Sequence, residues 1–183
     1  MDSHSLELCK AGQELAIEKL VLTYQKEVYR LALSILDDPD EAEEGAQDAF
    51  IAVLRALNSF QAASSLKTWI FSITINICRT RLQRRKAREQ LKQITVGLFH
   101  LQNQSRKSYL PEETLIQTEA DAILQNAIHG LNERHRLPII LRYYHDLSVA
   151  EIAETLGIPQ GTVHSRLNTA RERLRQVLKE ETR

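Results

Sequence analysis

His164, Ser165, Arg166, Asn168, Thr169, Arg171, Arg173 and Arg175 stand close together near the end of this chain. Side chains of these types bond phosphate oxygens and base edges. They interleave with Val163, Leu167, Ala170, Leu174 and Leu178, at offsets 0, 4, 7, 11 and 15, which is one stripe of a 3.6-residue helix. The polar set therefore occupies the opposite face. A second helix must hold this one in place. Ser148 and Glu151 have the S-x-x-E spacing of a capping box, and Ile152, Ala153 and Leu156 give an apolar face. Gly157 tolerates the left-handed conformation that ends a helix, and Pro159 restarts the chain before a helix from about Gln160. Two short helices, a tight turn and a polar outer face make a helix-turn-helix, with DNA as the leading ligand. The competing reading is a helical hairpin that only packs.

A second cluster lies at mid-chain. Arg79, Arg81, Arg84, Arg85, Lys86 and Arg88 form a run of cations with no acid among them. That density suits a phosphate backbone, and a solvated charge run is the plain alternative. Other chemistry is missing. No nucleophile–base pair, glycine-rich phosphate loop or metal-ligand cluster is present, so no catalysis, cofactor or metal is expected. The six histidines, at 4, 100, 129, 135, 145 and 164, are scattered and none forms HExxH. Cys9 and Cys78 lack CxxC spacing and read as free thiols in a reducing compartment, with a redox role for Cys9 open.

Lys plus Arg and Asp plus Glu both number 24, so the net charge is zero. Its distribution is uneven. Residues 1–60 hold 5 basic and 12 acidic side chains, residues 61–115 hold 10 and 3, and residues 116–183 hold 9 of each. An acidic front and a basic middle suggest different partners for different parts. No apolar run is long enough to span a membrane, and MDSHSLELCK lacks the pattern of a secretory leader, so a cytoplasmic location is expected.

Helical periodicity runs through most of the chain. Ile17, Leu20, Val21, Tyr24, Val28, Leu31, Ala32 and Ile35 share one face, and Asp37-Asp38-Pro39 breaks that helix. Asp40 reads as the next N-cap, with Glu43 three residues on, before a stripe of Ala46, Ala49, Phe50, Val53, Leu54 and Leu57. Leu66, Trp69, Ile70, Ile73 and Ile77 mark a third helix, which continues into RTRLQRRKAR. The pattern dissolves from about Glu89 to Thr118 and resumes near Glu119. The expected fold is all-α: two small helical bundles, residues 10–88 and 118–180, joined by a flexible linker, residues 89–117.

Three passages resemble the bacterial sigma-70 family of RNA polymerase sigma factors, in its short extracytoplasmic-function (ECF) group. DPDEAEEGAQDAFIAVLRAL is similar to the helix that docks on the polymerase. NSFQAASSLKTWIFSITINICRTRLQRRK resembles the promoter-opening segment, with the family's Phe, Thr-Trp and Asn at their usual spacing. LNERHRLPIILRYYHDLSVAEIAETLGIPQGTVHSRLNTARERLR is similar to the C-terminal helix-turn-helix. The resemblance implies region 2-like and region 4-like bundles. It further implies a transcription initiation factor that binds core polymerase, through the β′ clamp helices and the β flap, and promoter DNA. A cognate anti-sigma factor and a stress-response role are also implied.

The implied roles fall on particular residues. Asp40, Glu41, Glu43, Glu44, Gln47 and Asp48 would meet the clamp helices, a carboxylate-rich face pairing with a basic partner. A solvated helix face is the alternative for them. Gly45 departs from the more apolar run common there, and inside a helix it costs about 1 kcal/mol relative to Ala. Phe60, Gln61, Ser64, Ser65 and Asn76 match the loop and helix that trap a flipped base of the −10 element, with Arg79, Arg81, Arg84, Arg85 and Lys86 on the backbone. Stacking on an aromatic ring is worth roughly 1–3 kcal/mol per base. A core role for Phe60 and an exposed, idle Asn76 are the competing readings, and Trp69 reads as core under both. Thr162, His164, Ser165, Asn168 and Thr169 fall where the family reads the −35 element, with Arg166, Arg171 and Arg173 as phosphate contacts. His164 and Thr169 stand where relatives often carry Lys or Arg. Two rival functions stay open: a stand-alone helix-turn-helix regulator, and a sigma-mimicking interaction module.

Overall fold

The computed structural model describes residues 3–61, 65–96 and 119–181; Ser64 and most of the expected linker, residues 97–117, lie outside them. Every regular element among the described residues is helical. Helix α1 (Ser3–Lys10), which the apolar pattern did not suggest, packs on α2 (Glu14–Leu36) and buries Cys9. The long α2 ends at Asp37, whose left-handed backbone (φ 57°) lets its N–H donate to Leu33 O at 2.9 Å.

Helix α3 (Pro39–Ala56) then starts two residues earlier than Asp40 suggested. The cap is Asp38, whose Oδ1 accepts from Glu41 N–H at 2.9 Å. Pro39 sits in the first turn, where its missing N–H costs nothing. The glycine that weakens α3 as an isolated helix has a use in the packed one. A Cβ at position 45 would stand 3.0 Å from Leu36 Cδ1, 3.6 Å from Cys78 Sγ and 3.7 Å from Arg81 Cδ. Gly45 therefore sets how closely α3 approaches its two neighbours. Gly45→Leu is expected to overpack this contact and cost roughly 2 kcal/mol; an unchanged thermal midpoint would refute the account.

A 3-10 turn (Leu57–Ser59) leads towards α4 (Leu66–Val96). Ser65 caps α4, its Oγ accepting from Thr68 N–H at 3.1 Å. The buried face of α4 differs from the expected stripe. Ile70, Phe71, Thr74, Ile75 and Cys78 are buried, while Ile73 and Ile77 are only half-buried. The reason is that α4 packs against α2, α3 and also α7 (Val149–Leu156), so one apolar stripe cannot serve all its contacts. It also runs on past Arg88 to Val96, because Glu89, Gln90, Leu91 and Lys92 are good helix formers that propagate a helix already nucleated.

Helices α5 (Glu119–Gly130), α6 (Glu133–Tyr143), α7 and α8 (Gln160–Glu181) pack together, with α8 touching the other three. The capping box at Ser148 is formed in both directions: Ser148 N–H donates to Glu151 Oε2 at 2.8 Å, and Glu151 N–H to Ser148 Oγ at 3.2 Å. Gly157 is left-handed (φ 64°), as the turn requires. Val163, Leu167 and Ala170 are buried and Leu174 is half-buried, so the α8 stripe faces inward as its spacing requires.

The two sets of helices touch along α4–α7 and α2–α6. His145, between α6 and α7, sets its ring edge-on to Phe71 at 4.9 Å. Lys67 Nζ lies 5.4 Å from the same Phe71 ring and donates to His145 O at 3.3 Å. Arg79 pairs with Glu133 at 2.6 Å, and Arg136 reaches Ile35 O at 3.4 Å. Arg85 Nη1 adds a contact to Leu36 O at 3.3 Å. Helix α2 has no basic residue in its own last turn, so its terminal carbonyls take their cations from α4 and α6.

Candidate nucleic-acid interface

The outer face of α8 is open. His164, Ser165, Asn168, Thr169 and Arg173 are exposed, and Thr162, Arg166 and Arg171 are half-exposed. Part of this face is held in shape. Arg171 Nε donates to Tyr143 Oη at 3.0 Å and Arg171 Nη1 to Asn168 Oδ1 at 3.1 Å. Ser165 Oγ donates to Thr162 O at 3.0 Å. Among the described residues, Arg166 and Arg173 have no carboxylate partner, whereas Arg175 is tied to Glu172 at 2.6 Å. Unpaired guanidinium groups keep their full charge available to phosphates.

Helix α4 is the opposite case. Of its cations, Arg81 bonds Asp48 through Nε at 3.0 Å and Glu44 through Nη1 at 2.9 Å. Arg85 bonds Glu41 at 3.0 Å, and Arg79 bonds Glu133. Those carboxylates hold the Arg81 guanidinium above its ordinary range against the opposing pull of burial. Arg84, Lys86 and Arg88 are exposed and have no carboxylate partner among the described residues. The basic run thus divides into three cations that tie helices together and three that face water. The acidic face of α3 divides the same way. Glu41, Glu44 and Asp48 are engaged with α4, while Asp40, Glu43 and Gln47 are exposed. Glu43 and Gln47 rim a shallow groove of about 470 Å³ between Tyr29 of α2 and Phe50 of α3.

In the expected −10 loop, Phe60 is only 6% exposed and its ring lies 5.0 Å from that of Trp69. It occupies core, and Ser65 serves as the cap of α4. Gln61 and Asn76 are exposed. Both cysteines are buried and free. Burial pushes the Cys78 thiol up to about 12 and raises that of Cys9, so neither forms a ready thiolate.

Residues that the periodicity did not single out complete the surface. Arg134 and His135, in the first turn of α6, line a pocket of about 230 Å³ with Thr162, Ser165, Arg166 and Thr169 of α8. Their only trace in the sequence is the basic pair directly after Glu133, at a helix start where cations are disfavoured.

A helix-turn-helix with an unpaired basic face, joined to a second helical bundle carrying free cations, defines an all-helical DNA-binding protein. Comparison with known proteins narrows the class. The sigma-70 region 2 family matches residues 20–88, and the sigma-70 region 4 family matches residues 127–176. The chain is 32% identical to the ECF RNA polymerase sigma factor SigW of Bacillus subtilis over 93% of each protein. It is also 32% identical to the RNA polymerase sigma-H factor of Pseudomonas aeruginosa, over 97% of this chain and 93% of that one. Among solved structures, the sigma factor RpoE of Bartonella quintana, in complex with the anti-sigma factor NepR, superposes with a TM-score of 0.72 at 25% identity. That match covers 88% of this chain and 96% of RpoE. The chain belongs to the sigma-70 family, in its ECF group. It is a transcription initiation factor that acts with core RNA polymerase on promoter DNA and is not itself an enzyme.

Proposed function

We propose a division of this work between residues 10–88, which engage core polymerase and the −10 element, and residues 118–180, which read the −35 element, with residues 89–117 as the tether. The open outer face of α8 is the observation that carries the assignment. On it, His164, Ser165, Asn168 and Thr169 read base edges, while Arg166, Arg171 and Arg173 hold phosphates. In the first bundle, Asp40, Glu43 and Gln47 supply the outward face for the clamp helices. Glu41, Glu44 and Asp48 support that face from behind by tying α3 to α4. Gln61, Asn76, Arg84 and Lys86 are exposed towards the melted strand, and Phe60 shapes the loop from within.

The docked arrangement is the form away from the promoter. Elements near −35 and −10 lie about 25 base pairs apart, roughly 85 Å at 3.4 Å per step. A bundle of about 70 residues has a radius of gyration of about 11 Å, so touching bundles cannot reach both elements. Polymerase and DNA therefore draw the α4–α7 and α2–α6 contacts apart, a shift supplied by their preference for the open form. An anti-sigma factor, like the one bound by the Bartonella relative, would hold the chain away from polymerase. Action with polymerase places the chain in the cytoplasm; none of the described helices is long and apolar enough to cross a membrane.

Run-off transcription with purified core enzyme, followed by promoter mapping, tests the reading. Added protein is expected to confer start-site selection, and binding of operators without any effect on polymerase would favour a stand-alone regulator. With a promoter library, His164→Ala and Asn168→Ala are expected to relax preference at single −35 positions by about 1–3 kcal/mol each. Identical preferences in variant and parent would remove base reading from this helix face.

A further inference from the structure

The first turn of α6 is built against ordinary helix rules. Its N-cap, Asn132, makes no side-chain cap bond, so the first N–H groups of the helix have no side-chain acceptor there. Arg134 and His135 follow at once, at the end of the helix dipole that repels cations. Among the described residues Arg134 is exposed and has no carboxylate partner. His135 is only 5% exposed, and its Nδ1 has no hydrogen-bond partner. Facing this turn across the pocket are the hydroxyls of Thr162, Ser165 and Thr169 and the Arg166 guanidinium, with no carboxylate in the lining. Each feature is unfavourable or idle in the free protein. One anion would answer all of them, since it pairs with two guanidiniums, accepts from hydroxyls and suits a helix N-terminus.

We infer that this pocket seats one backbone phosphate of duplex DNA, with Arg134 and His135 of α6 clamping it against the start of α8. The inference rests on the reading of α8 as the DNA-facing helix and adds α6 as the second jaw. A contact of this kind carries no base information. It sets the depth and angle at which α8 enters the groove. Burial first, then Arg173, Arg134 and Arg166, hold imidazole protonation below its ordinary range, so His135 is neutral near pH 7 in the free protein. A seated phosphate opposes all of these influences and raises it.

The test uses the full chain and a fluorescent 20-base-pair duplex of mixed sequence, titrated across a series of KCl concentrations. Arg134→Ala is expected to weaken binding about five- to tenfold and to lower the slope of log K against log salt by about 0.9, one phosphate's worth. Arg134→Lys is expected to keep the slope. In the parent protein, the NMR-detected protonation midpoint of His135 should rise when the duplex is added. A duplex with neutral methylphosphonate linkages should leave it unmoved. Normal affinity and slope in Arg134→Ala, with binding weakened in Arg173→Ala, would overturn the pocket and leave the α8 reading standing. If the parent binds no duplex even at low salt, both readings fall together.

Discussion

Replacing Arg84, Lys86 and Arg88 together by alanine is expected to weaken promoter binding about a hundredfold, at about 1 kcal/mol for each lost phosphate contact. The slope of log K against log salt should flatten by about 2, because each single-strand phosphate contact contributes about 0.7. Thermal stability should barely move, since none of the three has a carboxylate partner among the described residues. The paired variant Arg81→Ala with Arg85→Ala should behave in the opposite way. These arginines meet Glu44, Asp48 and Glu41 on α3, so their loss unties two helices and leaves three carboxylates without their cations. Partly exposed pairs of this kind are worth up to about 1 kcal/mol each, and the expected loss is about 1–2 kcal/mol of stability with an unchanged salt slope. Filter binding at several salt concentrations, beside a thermal melt, checks both halves. Should all five cations shift the slope equally, the division of the basic run would be wrong.

Acid should loosen the contact between the two bundles, with His145 as the principal sensor. Burial pushes its protonation down to about 4; Lys67 and Arg30 lower it further, and Glu27 and Asp146 oppose them. In the unfolded chain an imidazole protonates near 6.5. Between those values the unfolded state holds the extra proton, so stability falls as pH drops from about 6.5 and the loss is complete below about 4. The separation corresponds to about 3 kcal/mol. Other groups titrate in this range too: hydrogen bonds from Ser148 hold the Glu151 carboxyl below its usual value, so that capping box also weakens in acid. The His145 share is isolated by His145→Phe, which keeps a ring against Phe71 but cannot take up a proton. Chemical denaturation from pH 4 to pH 8 should give a flatter profile for the variant than for the parent. Parallel profiles would mean that His145 is not the sensor.

Both expectations depend on partners far away in the chain, and this marks how much was legible beforehand. The helix-turn-helix was legible to the residue. Its capping box, left-handed glycine and apolar stripe are set by neighbours three or four positions away, so spacing alone specifies them. The cap of α3 was misplaced by two residues because Asp38 and Asp40 are equally good caps, and the left-handed turn at Asp37 together with Pro39 selects the first. The buried face of α4 was only partly readable, since a helix touched by three others has no single inward stripe.

The residue types that mark a DNA-facing helix, the family, and the all-helical class were written in the one-dimensional order of the chain, because caps, periodicity and motif spacing are local. Which cations are free and which are spent on carboxylates was decided only in three dimensions. So were the burial of Phe60 against Trp69, the use of Gly45 as a spacer and the meeting of Arg134 and His135 with the start of α8. The physical reason is common to all of them. An ion pair, a close helix approach and a pocket wall each join residues that the sequence holds apart, and packing alone brings them within reach.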